Sequence, residues 1–134
     1  MSSSPNRILG LIFGLLFVVI GVLGFFVSSG VGFFATSGGA IFGIFQVNLF
    51  HNLAHLAIGA ILTIAALAGR SSAKTVNTVI GAAYLVLGIA GLFLIDTGFN
   101  ILAINAADNV LHFASSVVLL AVGLGAERPS TRTA

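Results

Sequence analysis

The chain has 134 residues, of which 58% are hydrophobic and 6% are charged, and its formal net charge is +2. Soluble domains carry about a quarter charged residues, so this composition predicts an integral membrane protein in contact with the lipid bilayer. The few cations are scattered along the chain, which excludes a nucleic-acid-binding surface. The chain has no cysteine, which excludes disulfides, iron–sulfur clusters and thiolate metal sites.

The first apolar segment runs from residue 8 to residue 27 and contains no charge. Twenty residues that rise 1.5 Å each span a hydrocarbon layer of about 30 Å, so this segment predicts a transmembrane helix. Arg7 resembles the charged start of a signal peptide, but the apolar run is longer than the 7–15 residues typical of one. We therefore expect the segment to be retained.

Three further apolar segments predict transmembrane helices at about 48–68, 75–95 and 106–125. An uncharged connection rich in Gly and Phe, residues 30–43, precedes the second segment. A basic loop over 70–74 follows it, and Asp96, Thr97 and Gly98 end the third segment. The sequence therefore predicts one all-α domain over residues 1–134, an integral membrane four-helix bundle.

A polar motif, N-x-x-x-N-x-x-H, occurs at the start of the second segment and again 57 residues later, at the start of the fourth. Its members are Asn48, Asn52 and His55 in the first copy and Asn105, Asn109 and His112 in the second. Positions i, i+4 and i+7 share one face of a helix, so each copy predicts a polar stripe. His51 and Asp108 occupy matched positions within the two copies.

A glycine pattern repeats in the first and third segments with an offset of 67. Gly14, Gly21 and Gly24 correspond to Gly81, Gly88 and Gly91, and Gly10 adds a small-xxx-small spacing with Gly14. Such faces let helices approach closely, either within the bundle or against a partner. Together the two patterns predict two parallel helix-pair repeats about an axis along the membrane normal. The first outer connection carries ten extra residues.

The cations predict the orientation. Arg7, Arg70, Lys74, Arg128 and Arg132 lie on one side of the predicted bundle, and the loops of the other side contain only Asp96. The positive-inside rule places such an excess of Lys and Arg in the cytoplasm. We therefore expect both termini to be cytoplasmic and both polar motifs to begin at the outer face.

The polar cluster formed by the two motifs has several possible roles. We expect hydrogen bonds between helices to be its main one. Alternatively, His55 and His112 are suited to bis-His haem ligation, or His51, His55, His112 and Asp108 could ligate a divalent metal. No ionisable residue continues inward past His112, which disfavours a proton relay, and binding of a lipid or partner at the outer leaflet stays open.

The run from Val47 to Gly59, with the later run from Asn105 to His112, resembles a family of small actinobacterial membrane proteins defined only as a domain of unknown function. The resemblance extends from the first helix through the fourth, and the two Asn/His motifs are its most specific part. It implies four transmembrane helices and a bacterial plasma membrane. It implies no activity, substrate or cofactor.

No catalytic motif is present, since the chain lacks a nucleophile elbow, an HExxH helix and a glycine-rich phosphate loop. We therefore expect a non-enzymatic protein without a cofactor, an accessory subunit that contacts other integral membrane proteins of a larger assembly. An envelope-lipid transporter or a respiratory complex is an example. Phe33, Phe34, Phe42 and Phe45 mark the first outer connection as the expected contact. The alternative is a haem- or metal-binding membrane protein.

Overall fold

A computed structural model of the chain describes residues 4–127. It contains four helices, α1 (Pro5–Val27), α2 (Leu49–Ala68), α3 (Arg70–Leu94) and α4 (Ala106–Gly125), and two short strands, β1 (Gly39–Ile41) and β2 (Phe45–Val47). All four helices are long and apolar enough to cross a membrane. The expected four-helix membrane bundle is confirmed. Arg128 and Arg132, which contribute to the orientation argument, lie outside the described residues.

Polar caps begin three of the helices. The Ser4 hydroxyl accepts a hydrogen bond from the Arg7 amide and Pro5 follows it, an arrangement typical of a helix start. Asn48 caps α2 by accepting from the His51 amide. Asn105 caps α4 in a capping box with Asp108. The first asparagine of each motif therefore precedes its helix and fixes where that helix begins.

The start of the third helix differs from the sequence expectation. The segment Arg70–Lys74, expected to be a loop, forms the first turns of α3. Gly69 alone connects α2 to α3, with a φ of 148° that other residues rarely adopt. The turn is complete within this one residue, and the following five residues contain neither Gly nor Pro, so nothing prevents them from being helical.

The connection between α1 and α2 contains a β-hairpin that the sequence pattern did not predict. β1 pairs antiparallel with β2, with Gly39 opposite Val47 and Ile41 opposite Phe45. Between the strands, Phe42 and Gly43 have φ values of 53° and 70°, which reverse the chain. Each strand has only three residues, too few for an alternating pattern to be recognised.

The glycine faces pack α1 against α2 and α3 against α4, and the two pairs use equivalent contacts. A side chain built at each glycine would meet these partners: Gly14 and Thr63, Gly21 and Leu56, Gly24 and Asn52 in the first pair; Gly81 and Leu120, Gly88 and Phe113, Gly91 and Asn109 in the second. Every partner in α4 follows its counterpart in α2 by 57 residues. The chain is therefore two structural copies of one helix pair.

The core lies where the two copies meet. Its most buried members are Phe17, Leu62, Tyr84 and Leu119. Phe17 corresponds to Tyr84 in the repeat, and Leu62 corresponds to Leu119. The rings of Phe17 and Tyr84 are in contact, with centroids 5.6 Å apart. Contact between equivalent residues places them beside the pseudo-two-fold axis.

Candidate functional site

The motif asparagines hold helices and connections together at the hairpin end of the bundle. Asn48 is fully buried, and its side-chain amide donates to the carbonyls of Ala35 (2.9 Å) and Ile101 (2.6 Å). The Asn105 amide donates to the carbonyl of Ile44 at 2.8 Å. Each capping asparagine thus bonds the connection that belongs to the other helix pair.

The second asparagine of each motif bonds the neighbouring helix of its own pair. The Asn52 amide donates to the Ser28 hydroxyl at 2.9 Å, and the Asn109 amide donates to the Gly88 carbonyl at 3.0 Å. Both asparagines face a glycine, Gly24 or Gly91, whose missing side chain leaves room for the amide. All four asparagines therefore have a structural task, as expected for polar residues between membrane helices.

The three histidines belong to a closed circuit of five rings in the middle of the bundle. His51 contacts His55 (centroids 4.5 Å apart), and His55 contacts Phe17 (5.7 Å). Phe17 contacts Tyr84, Tyr84 contacts His112 (5.5 Å), and His112 returns to His51 (6.2 Å). The circuit contains both members of the pair Phe17/Tyr84 and both members of the pair His55/His112, so the pseudo-symmetry brings the matched histidines into one cluster.

His51 and Asp108 occupy matched positions but have different roles. Nδ1 of His51 lies 2.8 Å from the Leu102 carbonyl. Since a carbonyl only accepts, Nδ1 must be the donor. The Asp108 carboxylate instead accepts from the Asn105 backbone amide at 3.0 Å. The two side chains are therefore bonded to the connection before α4 rather than to each other.

Several polar atoms of the ring circuit have no hydrogen-bond partner among residues 4–127. Nδ1 of His55 is buried and unpaired. Nδ1 of His112 lies 3.4 Å from Oδ1 of Asn109, whose amide group is oriented by its bond to Gly88. A neutral imidazole that donates through Nδ1 has an acceptor at Nε2. Within the described part of the chain, His51 and His112 each keep this acceptor free.

A cavity of about 270 Å³ lies beside these rings, between α1 and α4 and beneath the hairpin. Polar side chains line part of it: His51, His55, Tyr84, Asp108, His112 and Ser115. The remaining lining residues are apolar: Phe13, Leu16, Phe17, Ile20, Ile41, Phe42, Phe45, Val47, Leu111, Ala114 and Val118. A mainly apolar cavity with a few convergent polar groups is typical of a small-molecule site.

The cavity has a polar interior and an apolar mouth. His51, Tyr84 and His112 are each only 4% exposed. By contrast, Leu16 and Val118, which stand on the two helices that border the gap, are 49% and 40% exposed. Both residues belong to helices long enough to cross a membrane. The mouth therefore opens sideways toward lipid, and the hydrogen-bonding groups lie at the inner end.

The equivalent cleft in the second half of the pseudo-symmetric bundle is closed. The repeat relates the α1/α4 gap to the α3/α2 boundary, where the two helices are joined by Gly69 and pack together. Ser115, which lines the open cleft, corresponds to Ile58, which packs against the core. The sequence repeat predicted the shared positions of the histidines but not this difference.

No group of three or more His, Asp and Glu residues within 4–127 is arranged to hold a metal ion. In the proposed ligand set of His51, His55, His112 and Asp108, one nitrogen of His51 and one oxygen of Asp108 are already bonded to the backbone. Haem ligation by His55 and His112 stays a prediction, which an optical spectrum decides.

A second polar cluster, which we call the clasp, lies at the opposite end of the bundle. The Glu127 carboxylate accepts hydrogen bonds from the Ser4 hydroxyl (3.0 Å) and the Asn6 amide (3.0 Å) and pairs with Arg70 at 2.9 Å. The Asn77 amide donates to Asn6. Sequence reasoning did not single out these residues. The one feature of the sequence that could have indicated this cluster is the position of two asparagines, Asn6 and Asn77, near the ends of apolar segments.

Electrostatics at the clasp favour the ionised carboxylate. Burial of Glu127 would by itself raise its pKa, but the hydrogen bonds from Asn6 and Ser4 and the charge of Arg70 outweigh burial. The pKa of Glu127 is therefore held below its ordinary value of 4.5. The clasp joins α1, α3 and the end of α4, so its strength depends on this charge.

The comparison with known families identifies the chain. It matches the family described as Domain of unknown function (DUF4383) over residues 7–125 and belongs to that family. No curated protein and no solved structure matches the chain. The resemblance noted from the Asn/His motifs is therefore confirmed at the level of the family. The match begins just before the first helix and ends with the last, so both motifs and the cavity lie within it.

Proposed function

We propose that this protein is a non-enzymatic, membrane-embedded binding protein that holds a lipid-soluble amphiphile in the cleft between α1 and α4. The observation that carries the proposal is the arrangement of the cavity, with buried, partly unpaired polar groups at its inner end and an apolar mouth facing lipid. An amphiphile inserted from the bilayer would place its polar head beside the histidines. Its apolar tail would remain among Leu16, Leu111 and Val118.

Unpaired polar groups in an apolar cavity favour such a ligand energetically. Leaving a buried donor or acceptor unsatisfied costs about 1–3 kcal/mol, and Nδ1 of His55 is in this state. That nitrogen is closed to a ligand in the cavity. His51 and His112 also line the cavity, and their Nε2 acceptors, which have no hydrogen-bond partner among residues 4–127, would be satisfied by a ligand hydroxyl. The structural asparagines bond backbone or hydroxyl groups through their amides, and although Oδ1 of Asn52 is also buried and unpaired, none of the four lines the cavity. The histidines rather than the asparagines are therefore the groups available to a ligand.

The proposed orientation, in what the family resemblance implies is a bacterial plasma membrane, has both chain termini in the cytoplasm. Its support is the distribution of the cations, which includes Arg7, Arg70 and Lys74 at the clasp end, against Asp96 alone in the connections of the hairpin end. In this orientation the cleft opens into the outer leaflet. The ligand would then be a component of that leaflet or a molecule that crosses it.

Purification in a mild detergent followed by solvent extraction and mass spectrometry tests the proposal. We expect one lipid-soluble compound at close to one molecule per chain. Ser115→Ile should abolish its retention, because Ile is the residue at the equivalent position of the closed cleft and would fill the inner end. Val117→Ile is the matched control, since Val117 lies on the same helix and is 66% exposed on the outside.

Two outcomes would contradict binding in this cleft. One is retention of the compound by the Ser115→Ile variant as well as by the control. The other is a Soret band or stoichiometric metal in the purified protein that His55→Ala or His112→Ala removes, which would establish the cofactor alternative instead.

A second candidate function, an accessory subunit of a larger membrane assembly, is favoured by the first connection. Phe33 and Phe34 form an aromatic cluster with Phe50, yet they remain 41% and 54% exposed. They lie in the stretch with ten extra residues, which has no counterpart in the second helix pair. If this cluster contacts a partner, pull-down from native membranes should recover a stoichiometric complex that Phe34→Ser weakens while Phe93→Ser, on a lipid-facing helix surface, does not.

A further inference from the structure

The dimensions and chemistry of the α1/α4 cleft specify more than an amphiphile. Resting on the proposed function, we infer that the ligand carries a single aromatic ring with hydroxyl groups, the head of a lipid-soluble quinol or phenol, and that this ring lies against the ring circuit. Size, lining and hydrogen-bonding capacity each support this identification.

The size of the cavity suits one substituted ring. A cavity of about 150 Å³ inside a protein holds benzene. The cleft encloses about 270 Å³, which leaves room for a ring, its oxygen atoms and the first carbons of a tail. A phospholipid head with its glycerol and two ester groups is much larger than this space. A molecule with one ring and one tail therefore fits the cleft.

The lining of the cavity is unusually aromatic. Eight of its 17 lining side chains are rings: Phe13, Phe17, Phe42, Phe45, His51, His55, Tyr84 and His112. Aromatic rings prefer other rings in offset or edge-to-face contact, each pair adding about 0.5–1.5 kcal/mol beyond burial. A saturated chain would gain burial in this cleft but not these contacts. The lining thus selects a planar ring over an acyl chain of equal volume.

The polar groups at the inner end complement hydroxyl groups. The free Nε2 acceptors of His51 and His112 require a donor, and a quinol or phenol hydroxyl supplies one. The hydroxyls of Tyr84 and Ser115 line the same space and form no hydrogen bond through their oxygen atoms with residues 4–127. Asp108 also lines the cavity, and since only one of its carboxyl oxygens accepts from the Asn105 backbone amide, the other is available to a hydroxyl donor. A neutral hydroxylated ring satisfies all of these groups.

The chain provides a specific probe for the test, since Tyr84 is its single tyrosine. Full-length protein labelled with 3-fluorotyrosine and reconstituted in phosphatidylcholine nanodiscs will give one ¹⁹F resonance, from the cleft. The probe ligands are decylbenzoquinol, the decylcyclohexane-1,4-diol with the same tail and hydroxyl groups, and 1-dodecanol. We expect saturable shifts, with the quinol about tenfold tighter than the diol and dodecanol weaker than both.

A variant tests the hydrogen bonds. His112→Phe keeps a ring but removes the acceptor, so it should reduce the preference for decylbenzoquinol over its dimethyl ether, while Val117→Ile should leave that preference unchanged. Since the comparison of the three ligands uses the wild-type protein, it remains informative if His112→Phe does not fold. Diol or dodecanol binding as tightly as the quinol would overturn the aromatic head and leave the amphiphile site intact. Absence of any saturable shift would overturn both.

Discussion

Asn48 and Asn105 form equivalent hydrogen bonds across the bundle, each to the connection of the other helix pair. Asn48 donates to the carbonyl of Ile101, and Asn105 donates to the carbonyl of Ile44. Since Ile101 is the repeat equivalent of Ile44, the two bonds are related by the pseudo-two-fold axis. Each helix pair thereby holds the connection of the other.

These two hydrogen bonds predict that Asn48→Asp and Asn105→Asp destabilise the protein by different amounts. Asn48→Asp keeps the oxygen that caps α2 but replaces two donated hydrogen bonds with repulsion between a carboxylate and two carbonyls. Because Asn48 is fully buried and the loss of a buried bond costs about 1–3 kcal/mol, we expect about 2 kcal/mol or more of destabilisation in detergent unfolding titrations. Asn105→Asp, whose cross-bond is exposed, should lose less. Wild-type stability in both variants would contradict the role of these cross-bonds.

Close packing at the matched glycines predicts destabilisation by a single methyl group. At Gly24 and Gly91 a Cβ would overlap the amide group of Asn52 or Asn109, so Gly24→Ala and Gly91→Ala should each cost about 1–3 kcal/mol by overpacking. Gly125→Ala is the control, since nothing lies within 4 Å of its position and Ala favours a helix more than Gly does. Thermal unfolding measures all three, and tolerance of Ala at both matched sites would contradict the packing.

The clasp predicts a loss of stability in acid. Because the folded-state pKa of Glu127 is below its ordinary value of 4.5, its contribution is complete above that value and is lost as the pH falls through the folded-state pKa. Glu127→Gln should lower stability at pH 7 and reduce the decline in stability below about pH 5. Unfolding of wild type and variant over this range measures the effect. Lys74→Gln, an exposed charge at the same end, should leave the decline unchanged, and parallel profiles for Glu127→Gln and wild type would exclude the clasp as its source.

The proposed orientation is testable because the chain has no cysteine of its own. Ser37, in the first connection, and Ser71, at the start of α3, are both exposed and lie at opposite ends of the bundle. In intact cells an impermeant maleimide should label Ser37→Cys, and Ser71→Cys should react only after the membrane is opened. Labelling of both from outside would contradict a cytoplasmic position for the clasp.

The sequence was sufficient for the bundle because each helix is specified locally, by a long apolar segment and, in α1, α2 and α4, by a polar cap. The repeat also identified His55 and His112 as matched positions, and the structure links their rings through His51 rather than by direct contact. The start of α3 was missed, since one glycine with an unusual φ completes a turn that ordinarily needs several residues. The three-residue strands were missed because they have no recognisable period.

The cavity could not be derived from the sequence, because it depends on the distance between α1 and α4, which are far apart in the chain. Ser115 and Val118 have no periodic feature that separates a residue lining a gap from one facing lipid. The clasp depends likewise on contacts between Asn6 and Glu127, 121 positions apart. Local patterns predict elements, whereas the spaces between elements depend on how distant side chains fill them.

The extra residues of the first connection have a consequence for the number of sites. An assembly of two identical helix pairs would be bound by its symmetry to carry two identical clefts. When the two helix pairs belong to one chain, they can differ. Here the longer first connection supplies the β1 strand, whose Ile41 lines the α1/α4 cleft, whereas the equivalent α3/α2 boundary is packed. The duplicated helix pair therefore provides one lined cleft and one packed boundary, so the proposed binding site occurs once in each chain.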